Sequence, residues 1–559
     1  MISKMLSSMK VLTCLFLIQL RLENVKTSIE TGPRVQTTNG QVEGVHLDEA
    51  NIFFGIPFAE PPVGENRWRA PVPSRSWGPK FVYKAVTPPP GCYQHCFLPP
   101  HTCPKTVSED CLYLTVSTPH GVTEKSNLPV MVFLPGGQFI QGAGYTDLTD
   151  SRYFVNHTST VMVLVNYRLG AFGFLVTGSG KDDATGNYAI LDQRMAMEWV
   201  QANIASFGGD PTRVTLFGQS AGAQSVAVHL MSEKSDNLFH RAIIQSLPFG
   251  IPLKRDFEAV ILGNCFAEGV MCRHGDMDCM RSKSSDEVLA SQKLCEGMVV
   301  NPDALLESFE QWGPYLDGND VKLQAIEGFR KGQYKKMPII IGSTADETRI
   351  NIFMAVTEPM TDIIEYYAIL YAFFPSNFID VLLEYPPAPP GSDQREALIR
   401  IANDFVFECP KRAALRSIAE HSQDGDWMYI FDHASSFNGW GQLWSFCDGY
   451  PCHGIDLPFL FHTVSRAGYQ FTPDEDVLSR SMIYYWSNMA HTGNPNDNSW
   501  RTEMGKNTLT EGDQEFVNWP QYVNSTGWSY LRFMTPRDQV DRGDLDEKCA
   551  FWESLNVYP

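Results

Sequence analysis

The chain has 559 residues, 43% of them hydrophobic and 19% charged, with a formal net charge of −20. That composition belongs to a folded globular protein with a large buried core and excludes a disordered one. The acidic balance repels phosphate backbones, so nucleic acid is not an expected partner, and the surface reads as that of a soluble acidic enzyme.

The N-terminal stretch reads as a cleaved leader. Lys4 and Lys10 precede an apolar run from Val11 to Leu20, and Arg21, Glu23 and Lys26 follow it. Such a run is too short to span a bilayer and has the length of a signal-peptide core. The signal peptide is placed at 1–28, with cleavage between about 20 and 30. No later run reaches the length of a membrane span, and the C-terminus FWESLNVYP carries neither an apolar anchor tail nor a retention address. The expected destination is therefore outside the cell or a secretory lumen, with no transmembrane anchor. Of the 13 cysteines, Cys14 lies in the leader, and the remaining twelve suit a disulfide-bonded secreted protein. Asn156 (NHT) and Asn524 (NST) are glycosylation sequons.

Beyond the leader, short apolar runs recur: PVMVFL ending at 134, VMVLVNY (161–167), VTLFG (214–218), RAIIQS (241–246), PIIIGS (338–343) and MYIFDH (428–433). They are rich in Val, Ile and Phe and do not alternate with polar residues, as expected of strands covered on both faces. Between them, NYAILDQRMAMEWVQANI (187–204) places Ile190, Leu191, Met195, Met197 and Val200 near helical spacing. Alternating strands and helices predict an α/β fold with a mostly parallel sheet. Residues 356–420 read as mainly helical, a cap over the site. No repeat or linker divides the chain, so 29–559 is expected to be a single domain.

VTLFGQSAGAQ sets Ser220 between Gly218 and Gly222, as G-x-S-x-G. The motif follows a buried strand and opens a helical run, AQSVAVHLM, which is the setting of a nucleophile elbow. The turn is sharp enough that only small residues fit two positions either side of the serine. The helix behind it aims its positive end at Ser220. The alternative is an ordinary strand-to-helix turn with a capping serine.

Several blocks then resemble one family. FGGDPTRVTLFGQSAG (207–222) resembles the active-serine signature of the type-B carboxylesterase/cholinesterase family, and SEDCLYLTV (108–116) its second signature. FFGIPFAEPPVGENRWRAP (53–71), NYRLGAFGFL (166–175), GNYAILDQ (186–193) and WSNMAHTGNPN (486–496) are similar to its other blocks. The resemblance runs from about residue 33 to Trp552. It implies the α/β-hydrolase fold and hydrolysis of small-molecule carboxylic esters, with no metal or other cofactor.

A serine hydroxyl needs a base to take its proton. CHGID (452–456) looks like the family's histidine block, and His453 follows the other candidates in the order Ser…Asp/Glu…His. A surface-loop histidine is the alternative. The acid should end a strand between the two, and PIIIGSTADET is such a strand end. Glu347 matches the family's glutamate, with Asp346 beside it as rival. Ser246 and Asp456 match family positions near the acid and histidine. The oxyanion hole is expected from FLPGGQF (133–139) and the residue after the serine, through the N–H groups of Gly137, Gln138 and Ala221. Pro135 and Gln138 depart from the family's glycine-rich pattern there, which places a side chain near the acyl pocket.

The resemblance further implies disulfides Cys92–Cys111, Cys272–Cys279 and Cys409–Cys549. For the six cysteines that remain, Cys96–Cys103, Cys265–Cys295 and Cys447–Cys452 are the expected pairs, the last bracing the loop of His453, although sequence does not fix their connectivity. The cholinesterase cation site is not expected. The segment from Cys92 to Cys111 has no Trp, Gln219 replaces an acidic residue, and Ile350 and Asn351 stand where aromatics are found. Two other functions are carried: a lipase or sterol esterase, and a non-catalytic adhesion relative, which usually lacks the serine.

Overall fold

The computed structural model of the protein describes residues 32–302, 304–504, 516–543 and 545–558. The leader expected at 1–28, with Cys14, lies outside the described residues. All six apolar runs form strands, and five further strands extend the same sheet. In chain order they are β1 (Val45–His46), β2 (Asn51–Pro57), β3 (Tyr113–Thr118), β4 (Leu128–Leu134), β5 (Val161–Val165), β6 (Gly209–Gln219), β7 (Arg241–Gln245), β8 (Ile339–Thr344), β9 (Asp426–Phe431), β10 (Tyr530–Phe533) and β11 (Gln539–Asp541). In space they run β11-β10-β9-β8-β7-β6-β4-β5-β3-β2-β1. The pairings from β10 through to β5 are parallel. Those at the two edges are antiparallel.

The helices that frame the site are α1 (Tyr188–Asn203), α2 (Ala221–Met231), α3 (Ile363–Phe373), α4 (Phe378–Glu384), α5 (Arg395–Ala402), α6 (Cys409–His421) and α7 (Pro473–Thr492). Successive strand residues point to opposite faces. Along β4, Val130, Val132 and Leu134 enter one hydrophobic cluster, while Met131 and Phe133 enter a second. In β8, Ile339 and Ile341 face the first cluster and Ile340 the second. Helices α1, α2 and α6 cover the first face with Ile190, Met197, Val226, Ala227, Ala414 and Leu415. Helix α7 covers the other with Met482, Trp486 and Met489. Each valine, leucine, isoleucine, phenylalanine or methionine so buried stabilises the fold by about 1.5–3 kcal/mol relative to exposure, and each alanine by less. Double-sided burial is why these strands read as unbroken apolar runs.

The segment 356–420 is mainly helical, as expected. Its last helix, α6, returns to pack on β8 and β9. A π-helical turn, Asn403–Glu408, joins α5 to α6. The twelve described cysteines form six disulfides, Cys92–Cys111, Cys96–Cys103, Cys265–Cys295, Cys272–Cys279, Cys409–Cys549 and Cys447–Cys452. Asn156 and Asn524 are both exposed. Among the described residues no helix is long and apolar enough to cross a membrane.

Candidate active site

Open parallel sheets place ligand chemistry at the carboxyl ends of their strands. Here the ends of β4, β6, β8 and β9 carry the oxyanion-loop candidates, Ser220, Glu347 and the His453 loop in turn. Ser220 lies between β6 and α2 with φ 59° and ψ −124°, a conformation few non-glycine residues adopt. Its N–H donates to the Gln245 carbonyl at 2.9 Å, locking the turn to β7. The flanking glycines are required by space. A Cβ on Gly222 would stand 1.9 Å from the Leu134 carbonyl oxygen, and one on Gly218 would stand 2.5 Å from the Gly222 backbone.

The loop after β4 closes on the same point. Gly137, Gln138 and Phe139 have φ of 120°, 55° and 59°, so the chain turns back on itself here. A Cβ on Gly136 would approach the Gln219 carbonyl oxygen to 2.6 Å and Ser220 Cβ to 2.9 Å, so the backbones meet with no room for a side chain. Among the described residues, none accepts a hydrogen bond from the N–H of Gly137, Gln138 or Ala221. Three such donors beside one hydroxyl have the composition of an anion-receiving site.

Three residues beyond β8, Glu347 is 1% exposed. Its Oε1 accepts from the Thr344 N–H at 2.6 Å, and its Oε2 is hydrogen-bonded to His453 Nδ1. The neighbouring Asp346 turns away, accepting from Arg349 Nε at 2.6 Å. That separates the two adjacent carboxylates: one meets an imidazole, the other a guanidinium. Burial opposes protonation of His453, but the charge and hydrogen bond of Glu347, helped by Asp456 and Glu310, outweigh it and raise its pKa above the ordinary value. With Nδ1 committed to Glu347, Nε2 is the free acceptor, and it meets Gln219 Nε2 at 3.1 Å. Among the described residues no hydrogen bond joins Ser220 to His453. In this resting arrangement the amide of Gln219 occupies the imidazole nitrogen that would serve the serine.

The His453 loop is cross-linked to its surroundings. Cys447–Cys452 closes it next to the histidine, and Asp346 pairs with Cys452 through a backbone bridge. Arg349, 3% exposed, lies with its guanidinium 3.4 Å from the centre of the Tyr450 ring and forks onto Glu396 at 2.8 and 2.9 Å. Behind the site Asp456 is fully buried. Its Oδ2 accepts from Gln245 Nε2 at 2.9 Å and from the Tyr429 hydroxyl at 3.1 Å, and burial pushes its carboxyl up to about 6. Ser246, with φ 57°, has a buried hydroxyl without a hydrogen-bond partner among the described residues. A further buried network, in which Lys411 Nζ donates to Ser343 Oγ at 2.5 Å and to Glu408 Oε1 at 2.6 Å, underlies β8.

Two clefts flank this centre. One spans about 580 Å³, with the solvent-open space at its mouth included, and is walled mainly by apolar groups, Pro100, Leu148, Trp440, Ile455 and Gly454 among them, the last being the residue after the histidine. The other encloses about 350 Å³ beside α2, between Gln224, Val228, Leu247, Phe249 and Leu253. Sequence reasoning identified Gln219 as a departure but missed its contact with His453. It also missed Glu310, a buried carboxyl that hydrogen-bonds Gln224 and acts on His453 through its charge. Glu310 lies in no such motif, and the serine motif that contains Gln219 carries no sign of the distant histidine it meets.

The family model described as the Carboxylesterase family matches residues 31–552. The chain is 36% identical over 517 residues to a "cAMP-regulated D2 protein" of Dictyostelium discoideum, covering 92% of this chain and 91% of that one. It is 37% identical over 464 residues to a "Crystal protein" of the same organism, covering 82% of each. It is 31% identical over 564 residues to an "Acetylcholinesterase 1" of Caenorhabditis briggsae, covering 90% of this chain and 84% of that one. With its eleven-stranded α/β-hydrolase sheet and a profile match across nearly its whole length, the chain belongs to the Carboxylesterase family.

Proposed function

We propose that this chain is a secreted serine esterase that cleaves neutral carboxylic esters through an acyl-enzyme on Ser220. The observation that carries the reading is the pairing of His453 Nδ1 with the buried Glu347, which leaves Nε2 facing the Gln219–Ser220 turn. In this reading the Gln219 amide gives way and Ser220 Oγ attacks the ester carbonyl carbon while His453 Nε2 takes its proton. The carbonyl oxygen becomes an oxyanion and is received by the N–H groups of Gly137, Gln138 and Ala221. The acyl–oxygen bond then breaks as His453 returns the proton to the leaving alcohol. Water repeats the sequence on the acyl-enzyme. Glu347 holds the imidazole tautomer and stabilises the imidazolium.

The proton path orients the substrate. The leaving oxygen must lie beside His453 to be protonated, which assigns the alcohol to the 580 Å³ cleft next to Gly454. The acyl chain then lies on the opposite side, toward α2 and the 350 Å³ cleft. The first cleft's apolar walls suit a hydrocarbon alcohol. A cationic alcohol would lack the tryptophan of the Cys92–Cys111 loop, and Gln219 beside the serine is neutral. The catalytic domain is taken as 29–559 after removal of a signal peptide. Six disulfides and the exposed sequons at Asn156 and Asn524 support secretion and glycosylation.

A fluorophosphonate should label the purified protein at Ser220, and Ser220→Ala should lower kcat by several orders of magnitude while the fold persists. The same preparation should turn over 3,3-dimethylbutyl acetate at least as fast as acetylcholine. Full activity in the alanine variant would refute the assignment, and faster cleavage of acetylcholine would refute the neutral-ester preference.

A further inference from the structure

The acyl side of the site holds polar groups that ester cleavage does not use. Gln224 lies one turn along α2 from Ser220, its N–H donating to the Ser220 carbonyl at 3.0 Å. It is 4% exposed, it lines the 350 Å³ cleft together with Gln324 and otherwise apolar side chains, and among the described residues its Oε1 has no hydrogen-bond partner. Its side chain hydrogen-bonds Glu310, which is 8% exposed and whose charge acts on His453. The backbone around Glu310 is pinned on both sides. Lys254 Nζ, itself buried, donates to the Glu310 carbonyl at 2.9 Å. At Gly313 a Cβ would meet the Phe139 ring at 3.1 Å and the Glu310 carbonyl oxygen at 3.4 Å, so this segment packs directly against the oxyanion loop. Glu310 is thereby held between the oxyanion loop and the helix of the nucleophile.

A buried acceptor left without a donor carries an uncompensated desolvation penalty, and a leucine or methionine would fill such space without it. The unmet Oε1 of Gln224 therefore calls for a donor from outside the chain, and Glu310 beside it has acceptor capacity beyond its bond to Gln224. A neutral hydroxyl fits better than an ammonium, because Lys254 already places a cation beside Glu310 and burying a further charge is costly. Burial pushes the Glu310 carboxyl up to about 7, so it accepts a hydrogen bond with its carbonyl oxygen in either state of ionisation.

We infer that Glu310 and Gln224 are specificity-determining residues, forming a hydrogen-bond-accepting subsite that selects esters whose acyl chain carries a hydroxyl group. The inference rests on the esterase reading above. It is tested with 4-nitrophenyl 3-hydroxybutyrate and 4-nitrophenyl butyrate, which share a leaving group, so that the ratio of their kcat/KM values reports the acyl side alone. The wild type should favour the hydroxy ester by about tenfold. Glu310→Leu and Gln224→Met should each bring the ratio close to one, and Glu310→Gln, which keeps an acceptor carbonyl, should retain part of the preference. Should Glu310→Leu fail to fold, Gln224→Met decides. Turnover of both esters with no preference in the wild type, or with a preference that survives both substitutions, overturns this inference and leaves the esterase reading standing. Failure to cleave either ester, with Ser220 unlabelled by a fluorophosphonate, overturns both.

Discussion

Around Ser220, position is fixed by backbone packing. Gly136, Gly218 and Gly222 let three chain segments touch where no Cβ fits, and the main-chain bond from Ser220 to Gln245 secures the turn. Around His453, position is fixed by cross-links: the Cys447–Cys452 disulfide, the Arg349 guanidinium between Asp346, Glu396 and Tyr450, and the hydrogen bond to Glu347. The first region sits at the end of a central strand with buried sheet on either side. The second sits on a loop that leaves β9 and has no strand to continue it. A backbone fixed by steric exclusion tolerates no added atom, whereas a cross-linked loop tolerates the loss of one tie in proportion to that tie's strength.

The comparison breaks most visibly at Gly222. Gly222→Ala drives a methyl into the Leu134 carbonyl, and neither backbone has room to yield. Misplacing the proposed nucleophile in this way should lower kcat/KM by at least about a hundredfold. A variant that retains near-normal activity would show that the elbow is not sterically set. On the loop side, replacing both Cys447 and Cys452 by serine releases a short closure, and thermal unfolding should report a loss of about 2 kcal/mol. Activity should fall less than in Gly222→Ala, because Glu347 and the Asp346–Cys452 bridge still hold the histidine. An equal collapse in both variants would erase the distinction.

The smallest effect is electrostatic. In the proposed mechanism His453 acts in its neutral form, so activity should be lost as pH falls through the pKa of that residue. Since Glu347 raises that pKa, the acid limb of kcat/KM should lie above the ordinary histidine value of about 6.5. Gln219→Glu sets an anion beside Nε2 and should move the limb upward by about one further pH unit. No movement in a pH–rate profile would place Gln219 out of reach of the imidazole during turnover.

The central strands were legible because both faces are buried, which turns each into an uninterrupted apolar run. The strands toward the edges were not: β1, β10 and β11 have only two to four residues each, and β1 and β11 carry exposed positions, so no run announces them. The helix expected at 187–204 appears as Tyr188–Asn203, since its apolar spacing is local information. The choice between Asp346 and Glu347 was not readable from spacing, because adjacent residues share every local signal. It depends on where Arg349 and His453 stand in space. The same holds for Gln219, whose partner is 234 residues away, and for Glu310, whose segment forms no strand and matches no motif used here. Contacts of that kind arise from how strand ends converge, and sequence pattern carries no measure of convergence.

The left-handed backbone of Ser220 has a bearing on how this chain could change over time. A glycine there would relax the turn and remove the hydroxyl together, so the substitution that suits the backbone best is the one that would end the proposed chemistry. Position 220 is thus a place where selection for a sturdier protein and selection for turnover pull in opposite directions. A lineage released from the second demand would be free to drift toward the first, with the rest of the sheet undisturbed.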